Sequence, residues 1–266
     1  MAHPILEVRN IHKRFGAVEA LRDVSFTIEP GSITALIGDN GAGKSTMVKI
    51  VSGIFAPTEG ELLLDGKPIT MNSPLDGRSA GVETVHQSLA LVEDFDVGEN
   101  FFLGREISGF GPLRVVQRRK MEAQAEDSMR QLGINLPGGV RRKVRTMSGG
   151  QRQAVAIARA AFWQSRLLLL DEPTAALGVR ESKQVLDLVK RLAYEEGAAI
   201  LLISHNMRDV ASLAEKAVVL RQGRKVGELT GVFGAEDCVA YITGAKSDLP
   251  EDNANSAAGR GNKAST

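Results

Sequence analysis

The chain has 266 residues, with 33 Lys and Arg against 32 Asp and Glu and a formal net charge of +1. That balance supplies no broad positive field, so a bulk nucleic-acid binder is disfavoured. The single cysteine, Cys238, excludes an internal disulfide framework and a thiolate zinc cluster, and it fits a reducing compartment. No apolar run approaches the roughly 18 residues needed to span a bilayer. The longest, Ala198 to Ile203, is followed by Ser204 and His205. The N-terminus, Met1 to Glu7, has no basic patch ahead of an apolar core, so no export signal is expected. Any membrane role is therefore expected to be peripheral, through a partner subunit.

Val24, Phe26 and Ile28 alternate with Asp23, Ser25 and Thr27, the period of a half-buried strand. Glu29-Pro30-Gly31 predicts a turn, and Ser32 to Ile37 a more buried strand. A Gly-rich loop follows, then a helix with Met47, Ile50 and Val51 on one face. Gly60 to Leu64 is a further strand, closed by Asp65-Gly66, and Val82 to Val85 another. The stretch from about residue 88 to 160 lacks strand periodicity and predicts a helical subdomain inserted into an α/β core, with Glu122 to Leu132 its clearest segment. Arg166 to Leu170 is a short apolar strand. Val185, Leu188, Val189 and Leu192 mark an amphipathic helix, and Ala198 to Ile203 a buried strand. Lys216 to Leu220 and Lys225 to Leu229 flank Arg221-Gln222-Gly223-Arg224 as a hairpin. Strands alternating with helices predict a largely parallel sheet covered on both faces, within a core of about 1–87 and 161–245. The tail, 246–266, has Leu249 as its only large apolar residue and is expected to be disordered. Each motif below occurs once.

Gly38-Asp39-Asn40-Gly41-Ala42-Gly43-Lys44-Ser45 fits the P-loop pattern between a predicted strand and a predicted helix. Its glycines let backbone N–H groups converge on phosphate oxygens, and the helix N-terminus adds a favourable dipole. Lys44 is expected to hold the β and γ phosphates of ATP, Ser45 to place its hydroxyl on Mg²⁺, and Thr46 to line the same turn. Leu167 to Leu170 is a buried strand that ends in Asp171 and Glu172. Strand alternation points the two carboxylates apart. Asp171 suits the Mg²⁺ shell, and Glu172, one step beyond, suits polarising the attacking water.

Met147-Ser148-Gly149-Gly150-Gln151 opens the Ala-rich helix Gln151 to Phe162. Physically it is a second phosphate-binding helix start, with Ser148 and two bare glycines. The pentapeptide resembles the signature of ABC transporter ATPases, usually Leu-Ser-Gly-Gly-Gln. The resemblance runs from Ile5 to Lys246 and implies a P-loop NTPase core with an antiparallel β subdomain and an inserted all-helical subdomain. It implies a pair of cassettes, most simply identical copies, in which the signature of one covers the γ-phosphate held by the other. It also implies that Gln87 contacts Mg²⁺ and the water, that His205 bonds the γ-phosphate, and that Phe15 stacks on adenine. Three positions depart from the pattern, the mildest being Met147 in place of the usual Leu. Gly178 stands where the family commonly has Asp, which puts that cross-dimer contact in doubt, and His86 stands where Tyr is usual.

Asn100 to Glu106, Ala175 to Ser182, Ser204-His205-Asn206-Met207 and Thr243 to Lys246 resemble the ribose- and fructose-type monosaccharide importers. That branch implies an ATPase on the cytoplasmic face of a bacterial inner membrane, under a transmembrane permease fed by a periplasmic sugar-binding protein. A permease helix would dock around Gln87 to Glu106. The sugar and the direction of transport stay open, as do three rivals: an importer ATPase for another small solute, a soluble ABC ATPase of translation or DNA repair, and a non-hydrolysing regulator. The basic run Arg141-Arg142-Lys143-Val144-Arg145 is expected to be a solvated loop, ahead of binding the partner's nucleotide or anionic lipid.

Overall fold

The computed structural model describes residues 3–109, 115–163 and 165–249. A six-stranded sheet is built from β3 (Ile33–Gly38), β6 (Val82–Val85), β7 (Leu167–Asp171), β8 (Ala199–Ile203), β9 (Lys216–Arg221) and β10 (Arg224–Thr230). Its order is β10-β9-β3-β8-β7-β6; only the β9–β10 hairpin is antiparallel, and the rest pair in parallel. Strand alternation sorts the side chains into two cores. Ile33, Ala35, Ile37, Leu168, Leu170, Ile200 and Leu202 face one, and Leu36, Leu167, Leu169, Ala199, Leu201 and Ile203 face the other. Both faces are apolar because both are covered.

The first face carries α4 (Arg118–Gln131), α5 (Gly149–Phe162), α6 (Val179–Tyr194), α7 (Met207–Leu213) and α8 (Ala235–Ile242), together with the short α3 (Val97–Phe101). The second carries α1 (Lys44–Val51) and a four-stranded antiparallel sheet, β2-β1-β4-β5. That sheet is formed by β1 (Leu6–Phe15), β2 (Val18–Ile28), β4 (Glu59–Leu64) and β5 (Lys67–Ile69). The remaining helix, α2 (Pro74–Ser79), starts at Ser73, whose hydroxyl accepts from Asp76 N–H.

Between residues 88 and 160 the helices α3, α4 and α5 pack on one another. The segment is less helical than its composition predicts, because polar anchors fold the connections. Asn100 is fully buried and donates to the carbonyls of Val92 and Asp96. Asp96 Oδ2 accepts from Arg118 at 2.5 Å, and Glu122 accepts from Arg118 and Arg141. The basic run lies at the surface, with Arg141, Lys143 and Arg145 exposed, and its guanidiniums are paired within the chain: Arg145 with Asp94, and Arg142 with Thr146 and the Pro137 carbonyl. Most of the predicted tail lies outside the described residues, but its first residues are seated. Asp248 N–H donates to Val226 O at 2.8 Å, Tyr241 Oη donates to Asp248 at 2.9 Å, and Leu249 joins the core.

Candidate nucleotide site

Parallel pairing puts the C-terminal ends of β3, β6, β7 and β8 on one edge: Val85 pairs with Leu170, Asp171 with Ile203, and Ile203 with Leu36. Asp171 ends β7, and the P-loop, Gln87, Glu172 and His205 follow the strand ends, in the crevice where open α/β sheets bind ligands. The P-loop takes its shape from close backbone approach. A Cβ on Gly38 would sit 2.2 Å from Leu220 O, and one on Gly43 2.9 Å from Ala20 O. Asn40 N–H donates to its neighbour Asp39 Oδ1, Ala42 N–H to Asp39 O, and Gly223 N–H to Ala42 O, which pins the loop to the β9–β10 turn.

Gly43 caps α1 with no side-chain bond, and no acid occupies the first turn. Gly41, Ser45 and half-buried Thr46 line this open end. Lys44 is 6% exposed, and its Nζ donates to Gly38 O at 2.7 Å and to Asp39 O at 2.9 Å. Burial lowers the Lys44 pKa, while Glu172, Asp39 and Asp171 oppose the shift. Burial likewise pushes the Asp171 carboxyl above its ordinary range; Glu172 adds to this, and His86, His205 and Lys44 counter it.

Glu172 leaves β7 with φ 52, left-handed backbone that costs a non-glycine residue about 1–2 kcal/mol. Its N–H donates to Ile203 O at 2.9 Å. That turn brings its Oε1 within 2.8 Å of His205 Nε2. Among the described residues no group of three or more His, Cys, Asp and Glu could hold a metal. The donors present, one carboxylate and a serine hydroxyl, fit Mg²⁺ that brings phosphate oxygens of its own, and a cation would relieve the crowding of Asp171 by Glu172.

Phe15 ends β1, is 43% exposed, and meets the Phe55 ring edge-on at 5.3 Å. Lys13 Nζ lies 5.1 Å from the Phe15 ring centre. Exposed Gln87 follows β6 on a loop with Leu89 and Ala90 at positive φ. Arg159 of α5 holds that loop by donating to the Leu89 and Ala90 carbonyls. Sequence reasoning missed Arg159; its only signal is a guanidinium on the Ala-rich helix.

At the signature, Ser148 Oγ accepts from Gln151 N–H at 3.3 Å, and Gln151 Oε1 accepts from Ser148 N–H at 3.1 Å. This capping box gives Gln151 a task within its own helix. Gly149 and Gly150 admit Leu177 and Glu181 of the next segment: Cβ atoms there would lie 3.0 Å from Leu177 Cδ2 and 2.9 Å from Glu181 Cβ.

The sequence profile of the ABC transporter family matches residues 21–175. The fructose import ATP-binding protein of Rhizobium meliloti is 46% identical over 91% of this chain and 95% of its own. A xylose/arabinose import ATP-binding protein of Sulfolobus acidocaldarius is 44% identical over 83% and 86%. A ribose import ATP-binding protein of Escherichia coli O157:H7 is 45% identical over 85% of this chain; here the chain spans 44% of the relative's length. Among solved structures, an ATP-binding cassette of an ABC transporter in its ADP conformation superposes with a TM-score of 0.76 at 26% identity, over 91% of this chain and 95% of that one. A dimeric cassette bound to ADP and Pi superposes with a TM-score of 0.67 at 27% identity, over 85% and 98%.

Proposed function

The chain belongs to the ABC transporter family, and on that premise we propose that it is the ATP-hydrolysing subunit of an importer that energises uptake of a monosaccharide such as fructose or ribose. One observation carries the ATPase chemistry: a bare helix N-terminus with Lys44 lies on the strand edge that also presents Asp171, Glu172 and His205. The three sugar-import relatives support the transport half.

Phe15 stacks on adenine, and the Gly38–Thr46 turn wraps the phosphates with backbone N–H groups. Lys44 exchanges its carbonyl partners for β- and γ-phosphate oxygens. Ser45, Gln87 and Asp171 would hold Mg²⁺, which would supply neutralisation of charge on the β and γ phosphates. Glu172 accepts a proton from the attacking water, and His205 orients Glu172 and bonds the γ-phosphate. Ser148, Gly149 and Gly150 of a second copy close on that phosphate, with Gln151 capping their helix.

A permease helix docks around Gln87 to Glu106, so the ATP-loaded pair switches the permease and hydrolysis resets it. ATP drives this only through its higher affinity for the closed pair. No helix among the described residues is long and apolar enough to cross a membrane. The subunit sits peripherally on the cytoplasmic face of the inner membrane, and a periplasmic sugar-binding protein supplies the permease. Co-purification with a permease, and ATP-dependent sugar uptake by vesicles holding the complex, test this reading. ATPase activity that travels with ribosomes or DNA and not with membranes overturns the transport half.

A further inference from the structure

Gln87 makes no side-chain hydrogen bond among the described residues, so the backbone around it decides where its amide points. That backbone is a tight turn. Leu89 N–H donates to His86 O at 2.8 Å, and Ala90 N–H to Ser88 O at 2.7 Å. Leu89 and Ala90 take φ 58 and 47, a left-handed backbone that residues with a Cβ rarely adopt, least of all in succession. Their two carbonyls meet one group: Arg159 Nη2 donates to Leu89 O at 3.1 Å and Nη1 to Ala90 O at 2.8 Å. No carboxylate among the described residues comes within ion-pair distance of that guanidinium, so the loop is its partner. A charged donor makes each of these bonds stronger than a neutral one would.

Arg159 stands on α5, about three turns from Ser148 at the start of the same helix. The helix between them is unbroken, and its Val155, Ala156, Ile157 and Ala158 are buried, so its two ends move together. One end is the turn expected to meet a second copy's γ-phosphate. The other holds the loop of the glutamine expected at the chain's own Mg²⁺. We propose that Arg159 is a positioning residue for Gln87: it ties the glutamine's loop to the signature helix, so that Gln87 reaches Mg²⁺ and the water only while α5 is seated. This rests on the roles of Gln87 and of the pair proposed above. Seating Ser148 on a second copy's phosphate then steadies Gln87 at the chain's own nucleotide, and one helix serves both sites. Arginine suits the task because its planar fork spans two consecutive carbonyls, whereas a lysine ammonium keeps the charge without the fork.

The test measures binding of a ribose-labelled fluorescent ATP at rising Mg²⁺, in full-length chain carrying Glu172→Gln to stop hydrolysis. Gln87→Ala is expected to raise the half-saturating Mg²⁺ about tenfold, and Arg159→Met by a similar factor, the usual cost of losing a group that orients a metal ligand. Arg159→Lys is expected to fall between Arg159→Met and the parent. Combining Gln87→Ala with Arg159→Met is expected to add nothing beyond Gln87→Ala alone, because both act through one side chain. Affinity for the same nucleotide in EDTA, which reads the P-loop without the metal, is expected to stay constant. If the two losses multiply to about a hundredfold, or Arg159→Met leaves the Mg²⁺ midpoint unchanged, the inference is overturned and the reading of Gln87 stands. A loss of affinity in EDTA overturns it too, since Arg159 would then be holding up the fold at large. Should Arg159→Met fail to fold, Arg159→Lys enters the same cycle and is judged by the same outcomes. If Gln87→Ala leaves the midpoint where it was, the role of Gln87 falls and the inference with it.

Discussion

Two helices of this molecule start in ways suited to phosphate, and they are finished differently. α1 begins at Gly43 with no side-chain cap and no acid in its first turn, beside a buried lysine. α5 begins at Ser148 with its own capping box, and Glu181 of α6 packs closely beside Gly150. The first is an open anion site of fixed positive charge. The second already spends the Gln151 N–H on its own capping serine, so it offers an anion fewer free donors. In the proposed pair, this difference suits a nucleotide held first on α1 and met second by α5 of the other copy.

The comparison sharpens most at Glu172. Glu172→Gln keeps both helix starts intact and removes the proton acceptor, so turnover is expected to fall about a thousandfold while ATP stays bound in a lasting dimer. Phosphate release and gel filtration in ATP check this, and unchanged turnover would remove Glu172 from that role. Lys44→Ala strips the charge from the open end and is expected to weaken ATP binding roughly a hundredfold by calorimetry. Undiminished binding would break the contrast, since α1 would then be no stronger than α5.

Gly150→Ala addresses the other end. The added methyl meets Glu181 Cβ at 2.9 Å, so α5 and α6 must part. The ATP needed for dimerisation is expected to rise about tenfold, with monomer affinity unaltered. An effect on monomer affinity would mean that the two ends are not separate. Phe15→Ala should act only at the open end, weakening ATP binding about tenfold through lost stacking, and equal loss for inorganic triphosphate would refute the adenine contact.

The smallest effect is one of pH. The proposed Mg²⁺ site uses ionised Asp171, whose pKa burial raises. Its ionised form is present at higher pH and is lost as pH falls, earlier than for an ordinary aspartate. The Mg²⁺-dependent part of ATP affinity is therefore expected to decline on mild acidification, and Asp171→Asn should abolish that slope in a titration.

The P-loop was legible because its chemistry is local: glycine spacing and the following lysine declare one turn. The strand ends at Asp171 and His205 were legible from short apolar runs. β1 was not, since its apolar residues Leu6, Val8 and Ile11 break period two where Asn10 takes φ 46 and the pairing shifts register. The seating of Asp248 depends on Val226 and Tyr241, and the basic run is answered by Glu122 and Asp94, partners too distant in sequence for composition to reveal.

Sequence alone named the groups proposed to meet a nucleotide, because lysine, serine, carboxylate and imidazole carry their chemistry wherever the chain puts them. Only tertiary structure decided which are free and which are engaged. It set Arg159 on the loop after Gln87, His205 against Glu172, and Glu181 beside Gly150 of the signature helix. Those pairings arise where separate strands and helices are brought within 3 to 4 Å, a condition that packing sets and residue order does not.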